Sequence, residues 1–251
     1  GIRVLFADGK EEQGSLLVGA DGIHSRVREK LFGPQKPRYS GYLAWRGIAH
    51  LTNSRLINGH GFIALGPGSQ FGAVHIGGGK TYWFGTKNGP PQSPYPKEGL
   101  KKEVLDQFRS WTDPIEALIE ETEETSILRN DIIDRPPTKD WGKGNTTLLG
   151  DAAHATTPNL GQGGCQALED AIILAHCLKE NGHKPETLRQ FETLRLSRTT
   201  MITKRSWTLG RILQIENRGI RFFRDLAFQL TPKKVQIRNL RSMVKVELPE
   251  L

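Results

Sequence analysis

The hydrophobic positions of the first part of the chain follow a strand period and then a helix period. Two β-rich runs flank a turn at Asp8-Gly9, and the second run, residues 15–18, ends in the glycine turn GADG at 19–22. In the segment SRVREKLF at 25–32, Val27 and Leu31 lie four positions apart, which is the spacing of one helix face. The pattern predicts a strand, a glycine turn and a short helix.

From residue 39 to residue 86 the chain consists of short aromatic or β-branched runs broken by glycines. The runs are GYLAWRGIAH, GHGFIALG, QFGAVHIGGG and TYWFGT. Short runs of this composition predict an antiparallel sheet. The segment NGPPQSPYPKEG at 88–99 is typical of a turn-rich connector, so we expect it to separate the sheet from a helical region.

Helical spacing returns after this connector. The apolar residues that share one predicted helix face are Leu100, Val104, Leu105, Phe108 and Trp111. A second, short and acidic helix is predicted to start with Asp113 as N-cap, Pro114 at the first helical position and Glu116 completing a capping box.

The segment LLGDAAHATTPNLGQGGCQALEDA at 148–171 combines features of a ligand site. It places Asp151 directly after the predicted strand TTLLG, where α/β folds position ligand-contacting groups. Gly161, Gly163 and Gly164 lack β-carbons near the start of a helix predicted at about 165–178, so a flat or anionic ligand can approach the backbone N–H groups there. We expect a cradle for a ligand that is negative at one end and hydroxylated at the other.

Several side chains of this segment also have structural interpretations. Asp151 alone is consistent with a strand-end cap, and His154 with a structural side chain rather than an acid or base. For Glu169 and Asp170 we expect a solvent or packing role for at least one of the two. Cys165 is predicted to be a small buried residue rather than a nucleophile.

Composition narrows the function classes. The 251 residues suffice for one large domain or two interleaved ones, and no apolar run approaches the roughly 20 residues that span a bilayer. Cys165 and Cys177 are twelve residues apart on one predicted helix, about 18 Å, so they cannot pair. Unpaired thiols indicate an intracellular reducing compartment, cytoplasmic or organellar. The cysteines and the seven scattered histidines form no CxxC or HxxxH pattern, so no metal site is expected.

The net charge of +8 is concentrated at the end of the chain, because residues 186–251 carry 14 Lys+Arg and 6 Asp+Glu whereas residues 1–185 carry 21 of each. Within this tail, SWTLGRILQIENRGIRFFRDLAFQL at 206–230 mixes apolar side chains with regularly spaced arginines. One interpretation is an amphipathic helix packed on the domain with its charged face in water. The alternative is peripheral docking to an anionic membrane surface. No nucleic-acid-binding motif is present, so no nucleic-acid partner is expected.

The motif GDAAHATTPNLGQGGCQALEDA at 150–171 resembles the second FAD-binding motif of the single-component (class A) flavoprotein monooxygenases, the family of para-hydroxybenzoate hydroxylase, salicylate hydroxylase and zeaxanthin epoxidase. The resemblance implies that Asp151 holds the flavin ribityl chain, that the Pro158 carbonyl lies near the reactive flavin edge, and that the Gly-Gln-Gly backbone faces the pyrimidine end of the ring. The cofactor-binding residues implied by this motif are Gly150, Asp151, Pro158, Gly161, Gln162, Gly163 and Gly164.

A second motif, LLVGADGIHSRVR at 16–28, resembles the Asp-Gly fingerprint of the same family, which supports FAD binding and has been linked to NAD(P)H. It implies cofactor-binding roles for Asp21, Gly22 and Arg28. Arg26 and Arg28 fall in the helix of the motif, where their guanidinium groups meet either phosphates or solvent.

The segment GYLAWRG at 41–47 resembles the beginning of the substrate-domain sheet of the family and makes Trp45 and Arg46 candidates for substrate contact. For Trp45 the alternative is a core residue. For Arg46 it is a charge at the edge of the sheet.

The resemblance implies an α/β fold with an inserted α+β substrate sheet. Residues 1–38 and 131–185 are predicted to form an incomplete Rossmann-like FAD-binding domain of the para-hydroxybenzoate hydroxylase type. Residues 39–130 are predicted to form the substrate domain with its antiparallel sheet, and residues 186–251 a basic C-terminal helical region.

The GxGxxG turn that binds the ADP half of FAD is missing from the sequence. GPGSQFG at 66–72 has Phe71 at the third glycine position and lies within the predicted antiparallel sheet, as does HIGGGK at 75–80. We therefore expect that the chain is the carboxyl part of a longer enzyme and that by itself it binds FAD poorly.

The resemblance further implies the reaction: NADH or NADPH reduces FAD, O2 adds to give a flavin hydroperoxide, and one oxygen atom enters an aromatic or isoprenoid-like small molecule. Two alternatives stay open. One is a related FAD oxidoreductase, such as a prenyl reductase or a halogenase. The other is a non-catalytic remnant or membrane-surface module.

Overall fold

The computed structural model describes residues 1–51, 61–91, 98–246, 248 and 249. The chain divides into two compact units. Unit 1 contains Gly1–Arg38, Ile133–Leu209 and Thr231–Leu251, and unit 2 contains Tyr39–Ile132 and Gly210–Leu230. The C-terminal region that the sequence treats as one segment is thus shared between the two units.

The described strands form three sheets. In chain order they are β1 (Ile2–Leu5), β2 (Glu11–Gly14), β3 (Leu17–Gly19), β4 (Arg38–Ala49), β5 (Gly61–Gly66), β6 (Ser69–Gly77), β7 (Lys80–Asn88), β8 (Leu128–Asp134), β9 (Gly142–Lys143) and β10 (Thr146–Leu148). β1 and β2 form a hairpin, the second sheet has the order β3-β10-β9, and the third has the order β5-β6-β7-β4-β8. β10 runs parallel to β3 and antiparallel to β9.

Most helical residues lie in the second half of the chain. They are α1 (Arg26–Phe32), α2 (Leu100–Phe108), α3 (Ile115–Glu121), α4 (Asp151–His154), α5 (Gly163–Asn181), α6 (Pro185–Leu213), α7 (Arg218–Leu230) and α8 (Lys233–Val244). Short 3-10 turns occupy Glu124–Ser126 and Pro158–Leu160. Among the described residues no helix is both long and apolar enough to cross a membrane.

The core of unit 2 is aromatic. Phe71 stacks on Trp83 with ring centroids 5.5 Å apart, and Phe108 of α2 meets Phe71 and Trp45 edge-on. The glycines within the strands make room for these rings, since a β-carbon on Gly85 would lie 2.5 Å from the ring of Phe108. The predicted antiparallel sheet is confirmed by the pairing of β4, β5, β6 and β7.

The core of unit 1 surrounds β10. Its buried apolar side chains come from β10, from the loop before β9, and from the helices α4, α5 and α6. They are Trp141, Leu148, Ala152, Ala153, Leu174, Cys177, Leu188 and Phe191. The strand-turn-helix predicted at the start of the chain is part of this unit, because Val27 and Leu31 of α1 pack against the same cluster.

Several predicted element boundaries were wrong. The turn at Asp8-Gly9 does join a hairpin, but β1 pairs with Glu11–Gly14 rather than with residues 15–18. Residues 17–19 pair with β10 instead. The helix predicted to include Trp111 ends at Phe108, since Ser110 has a φ of 65°. In the next helix Pro114, not Asp113, is the N-cap.

The tail segment at 206–230 is not one helix. α6 ends at Leu213 and α7 starts at Arg218. Side-chain contacts hold the break: the Asn88 amide donates to the Gln214 carbonyl at 2.9 Å and to the Glu216 carboxylate at 2.8 Å. Of the connector predicted at 88–99, residues 92–97 lie outside the described residues, as do residues 59 and 60 of the run GHGFIALG.

Candidate functional site

The turn after β10 presents Asp151 at the protein surface. Gly150 precedes it with a φ of 60° and is the N-cap residue of α4. A β-carbon on Gly150 would lie 3.1 Å from the β-carbon of Ala167 in α5. Because both the φ angle and the space favour glycine, this residue lets the strand turn tightly into α4 and leaves Asp151 exposed as its first residue.

The first turn of α5 is lined by bare backbone. The 3-10 turn at Pro158–Leu160 closes with the Gly161 N–H donating to the Pro158 carbonyl at 2.9 Å, and Gln162 is the N-cap residue of α5. A β-carbon on Gly161 or Gly164 would meet no atom within 4 Å, and on Gly163 it would meet only Thr156, at 3.6 Å. The open backbone N–H groups and the positive end of the helix dipole make this turn suitable for a flat, electron-rich ligand.

A buried carboxylate, Asp170 of α5, contacts the turn between β10 and α4 and is 0% exposed. Its Oδ2 accepts the backbone N–H of Gly150 at 2.9 Å and lies 2.6 Å from His154 Nε2. Its Oδ1 accepts from Arg195 Nε of α6 at 2.6 Å. The His154 ring also packs beside Trp141, at 5.0 Å between centroids, which agrees with the structural interpretation of this histidine. Asp170 therefore ties the turn before Asp151 to two helices.

Glu169 extends the same cluster of buried ion pairs. Its carboxylate accepts from Arg195 Nη1 at 2.8 Å and from Arg198 at 2.7 and 2.8 Å, while Gln166 donates to it at 3.0 Å. Both carboxylates predicted on α5 are thus buried and paired. The sequence signal for this cluster was weak, because Arg195 and Arg198 belong to another helix.

The cluster sets the protonation of its two acids. Burial raises the pKa of Asp170, but the hydrogen bonds and charges of His154 and Arg195 outweigh burial and hold the pKa below its usual value. For Glu169 burial likewise raises the pKa, and hydrogen bonds from Arg198 and Arg195 bring it below the usual value. Both side chains are therefore carboxylates at neutral pH.

Asp21 holds the start of α1. Its Oδ2 accepts the backbone N–H groups of Arg26 at 2.7 Å and Val27 at 3.2 Å. Burial raises its pKa, but hydrogen bonds from Ser25 and from these amides lower it further than burial raises it. Gly22 beside it has a φ of 78° and open space where a β-carbon would be. The geometry gives Asp21 a helix-capping role, and its contact with a cofactor stays a prediction.

Arg28 is buried rather than exposed to phosphates or solvent. Its Nη1 donates to the carbonyl oxygens of Ala152 at 3.1 Å and Ala153 at 3.4 Å, and its Nε donates to Gln35 at 3.2 Å. Arg28, in the motif at 16–28, thereby holds α4 in place. A direct cofactor contact of Arg28 stays a prediction. Arg26 is exposed and pairs with Glu29 at 2.8 Å.

Sequence reasoning missed Arg135 and misjudged Cys165. The Arg135 guanidinium donates to the Ile23 carbonyl at 2.6 and 3.0 Å and to the Gln35 carbonyl at 3.1 Å, which fixes the loop around α1. Cys165, predicted to be buried, is exposed because it lies in the open first turn of α5. Within the described residues no group of three or more His, Cys, Asp or Glu side chains could hold a metal ion.

In unit 2 the two substrate candidates lie in different environments. Trp45 is fully buried, with its Nε1 donating to Glu103 of α2 at 3.4 Å, so its placement favours the alternative of a core residue. Arg46 is exposed and donates to Asn130 at 2.8 Å. It borders an open groove of about 560 Å³ that Ile48 and Tyr82 also line.

Comparison of the sequence with protein families and curated proteins gives consistent matches. A family described as "FAD binding domain" matches residues 6–206. The aurachin C monooxygenase/isomerase of Stigmatella aurantiaca is 41% identical over 244 residues, which is 97% of this chain and 63% of that protein. The chloroplastic zeaxanthin epoxidase of Nicotiana plumbaginifolia is 45% identical over 174 residues, 69% of this chain and 26% of that protein. The chain therefore spans less than two thirds of these relatives.

Solved structures agree with these matches. Klebsiella pneumoniae HpxO complexed with FAD and uric acid has a TM-score of 0.89 and 27% identity, covering 96% of this chain and 62% of HpxO. A salicylate hydroxylase substrate complex has a TM-score of 0.75 at 22% identity, covering 98% of this chain and 68% of that one, which shows the shared fold.

The predicted fold class and the predicted cofactor are confirmed by these comparisons. The glycine backbone of the first turn of α5 also fits a flavin, since β-carbons at Gly161 and Gly164 would fill the open space that a flat ring requires. The family match covers most of the chain, and both fingerprints lie within it. The chain belongs to the family described as FAD binding domain.

Proposed function

We propose that the protein containing this chain is a monooxygenase that uses FAD, O2 and NADH or NADPH to insert one oxygen atom into an apolar aromatic or isoprenoid-like small molecule. The observation that carries the proposal is the glycine-lined first turn of α5, which follows the exposed Asp151 within one loop. Relatives named as a monooxygenase/isomerase and as zeaxanthin epoxidases support it, at 41% and 45% identity.

The residues that would hold FAD are Asp151 at the ribityl chain, the Pro158 carbonyl at the ring edge, and the backbone of residues 161–163 at the pyrimidine end. When bound, FAD accepts a hydride from NAD(P)H and transfers electrons to O2, with one oxygen atom going to the substrate and the other leaving as water. The N–H groups at the start of α5 stabilise the negative charge of the reduced ring.

The contribution of the buried cluster is to orient Asp151. Asp170 holds the N–H of Gly150, and Arg28 holds the carbonyl oxygens of Ala152 and Ala153. Because α4 is held at both ends, Asp151 loses little conformational freedom when it binds a hydroxyl group. This arrangement supports a preformed rather than an induced site.

For the substrate we propose the open groove of unit 2 beside Arg46. Ile48, Tyr82 and Leu128 give it apolar surface, and His50 and Lys80 add polar groups at its border. Burial raises the pKa of Tyr82, although the charge of Arg46 opposes this, so the phenol stays neutral and can donate a hydrogen bond. Glu121, Glu123 and Ser126 line it as well, so the groove suits a small molecule that has both an apolar part and polar groups.

We also infer an intracellular reducing compartment. Both cysteines are free thiols, and one of them is exposed. Exposed free thiols are rare in oxidising compartments because they form disulfides there.

The first experiment is a titration of the purified chain with FAD, followed by quenching of flavin fluorescence. We expect weak but saturable binding that Asp151→Ala weakens at least tenfold further and that the control Asp106→Ala, an exposed acid on α2, leaves unchanged. A folded chain that binds FAD equally well with and without Asp151 would contradict the assigned site.

The activity is tested with the full-length protein that contains this chain. We expect NAD(P)H oxidation stimulated by an apolar substrate and one atom of labelled oxygen in the product. A chloride-dependent product would identify a halogenase, and a reduced product formed without O2 consumption would identify a reductase. Either result would overturn the monooxygenase proposal.

A further inference from the structure

The helix α7 buries an arginine and exposes most of its large apolar side chains to solvent. Arg224, near its middle, is only 7% exposed, and its Nη1 donates to the Leu213 carbonyl at 3.2 Å. Phe223 beside it is 69% exposed, and Leu230 is 70% exposed. A helix that packs only to stabilise its own domain shows the reverse arrangement. Arg224 therefore does not fit the interpretation of the tail as a helix with its charged face in water, whereas Arg218 is exposed.

Most of the exposed apolar side chains of α7 form one strip, which we call the α7 apolar face. It consists of Ile220, Phe222, Phe223, Leu226 and Leu230. Phe228 is also exposed but lies on the side of Arg224. The rings of Phe222 and Phe223 contact each other edge-on with centroids 5.6 Å apart. Such a strip is unfavourable in water, and surfaces of this kind mark sites of interaction.

The charge around the α7 apolar face indicates what covers it. From residue 210 to residue 230, the part of unit 2 that contains α7, the sequence carries four arginines and two acids. Both acids are already engaged, Asp225 with Arg224 at 2.8 Å and Glu216 with Asn88 at 2.8 Å. The partner surface must therefore be anionic. A second copy of the chain would bring the same positive charge against itself, which opposes association.

The helix α8 repeats the pattern within its own sequence. It carries the cations Lys233, Lys234, Arg238 and Arg241 and no acid, and its side chains Ile237, Leu240 and Val244 are exposed at helical spacing. Exposed apolar residues interleaved with Lys and Arg are typical of helices that lie in the headgroup region of a bilayer.

We propose that α7 is an interfacial helix that docks the protein on an anionic membrane surface. Its apolar face enters the boundary between headgroups and acyl chains, and the exposed Arg218, with Arg221, lies at the level of the lipid phosphates. The proposal does not depend on the monooxygenase activity, because it rests on the orientation and charge of this helix alone.

The test is co-sedimentation of the full chain with vesicles of phosphatidylcholine alone and of phosphatidylcholine and phosphatidylserine in equal parts. We expect binding to the anionic vesicles that falls with added salt, and little binding to the neutral ones. The double variant Phe222→Ser/Phe223→Ser should reduce the fraction bound at least tenfold. The control Leu194→Ser, an exposed leucine of α6, should leave it unchanged.

Circular dichroism verifies that each variant is folded, since the substituted side chains are exposed and make no core contacts. Equal binding to neutral and anionic vesicles, or anionic binding that survives the double phenylalanine substitution, would overturn the proposal. It would also be overturned if the wild-type chain failed to bind vesicles but formed dimers that the double variant does not form. In that case a second copy covers the α7 apolar face.

Discussion

The carboxylate of Asp170, in the middle of unit 1, accepts the backbone N–H of Gly150 at 2.9 Å, and Gly150 is the residue directly before the exposed Asp151. A fully buried acid and a surface acid are therefore connected through one glycine residue. The side-chain partners of the buried acid, His154 and Arg195, lie on α4 and α6, so the position of Asp151 depends on how three helices are packed.

Replacing Asp170 should destabilise the protein strongly. Asp170→Ala leaves the Gly150 N–H without its acceptor and removes one of the two carboxylates that neutralise Arg195, which is 1% exposed. Breaking a buried pair from one side costs about 3–5 kcal/mol. Urea unfolding measures the loss. Asp106→Ala, which removes an exposed pair with Lys102, should change the midpoint little; equal effects of the two substitutions would contradict the role of Asp170.

The cluster should also make the protein sensitive to acid. The folded-state pKa values of Asp170 and Glu169 lie below the ordinary values of 3.8 and 4.5 for these side chains. The two groups therefore contribute stability that is fully present above these ordinary values. This contribution is lost as the pH falls through the lower, folded-state pKa values. We expect the urea midpoint to fall between neutral pH and about pH 3, and to fall less in Glu169→Gln. An identical pH profile for this variant would show that other groups dominate.

Two glycines of the motif at 150–171 should respond differently to replacement by alanine. Gly150→Ala forces a φ of 60° and a 3.1 Å contact with Ala167, so we expect a loss of about 1–3 kcal/mol in unfolding free energy. Gly164→Ala meets no atom within 4 Å inside a helix, so stability should stay the same or rise by up to about 1 kcal/mol.

The Gly164→Ala protein should nevertheless bind FAD more weakly, because its new methyl group occupies the space of the ring. Thermal unfolding and FAD titration on the same samples separate the two effects. Unchanged FAD affinity in a stable Gly164→Ala protein would exclude this turn as the flavin cradle.

The two thiols should differ in reactivity. Cys165 is exposed in the first turn of α5, whereas Cys177 is buried, and burial raises the pKa of its thiol. Titration with a thiol reagent should detect one thiol in the native protein and two in denaturant. Saturating FAD should slow the reaction of Cys165 and leave that of Cys177 unchanged. Rapid reaction of both thiols in the native state would contradict the described packing of α5.

The sequence predicted those features that depend on local patterns. The sheet from β4 to β7 follows from short apolar runs, and the flavin motif depends on glycines whose role is local. The cluster around Asp170 could not be predicted in the same way, since Arg195 is 25 residues away and reaches it only through the packing of α5 against α6. The orientation of α7 was missed because amphipathic spacing shows that a helix has two faces but not which of them turns inward.

The contact between Arg28 and the carbonyl of Ala152 joins residues 124 positions apart, one in each of the two fingerprint motifs. The two motifs are separate in the sequence, yet in the folded protein Arg28 of one is hydrogen-bonded to α4 of the other. A chimera that takes only one of the two motifs from a relative would therefore combine an arginine from one protein with a turn from another. Exchanging both motifs at once keeps the contact between Arg28 and Ala152 within one matched pair.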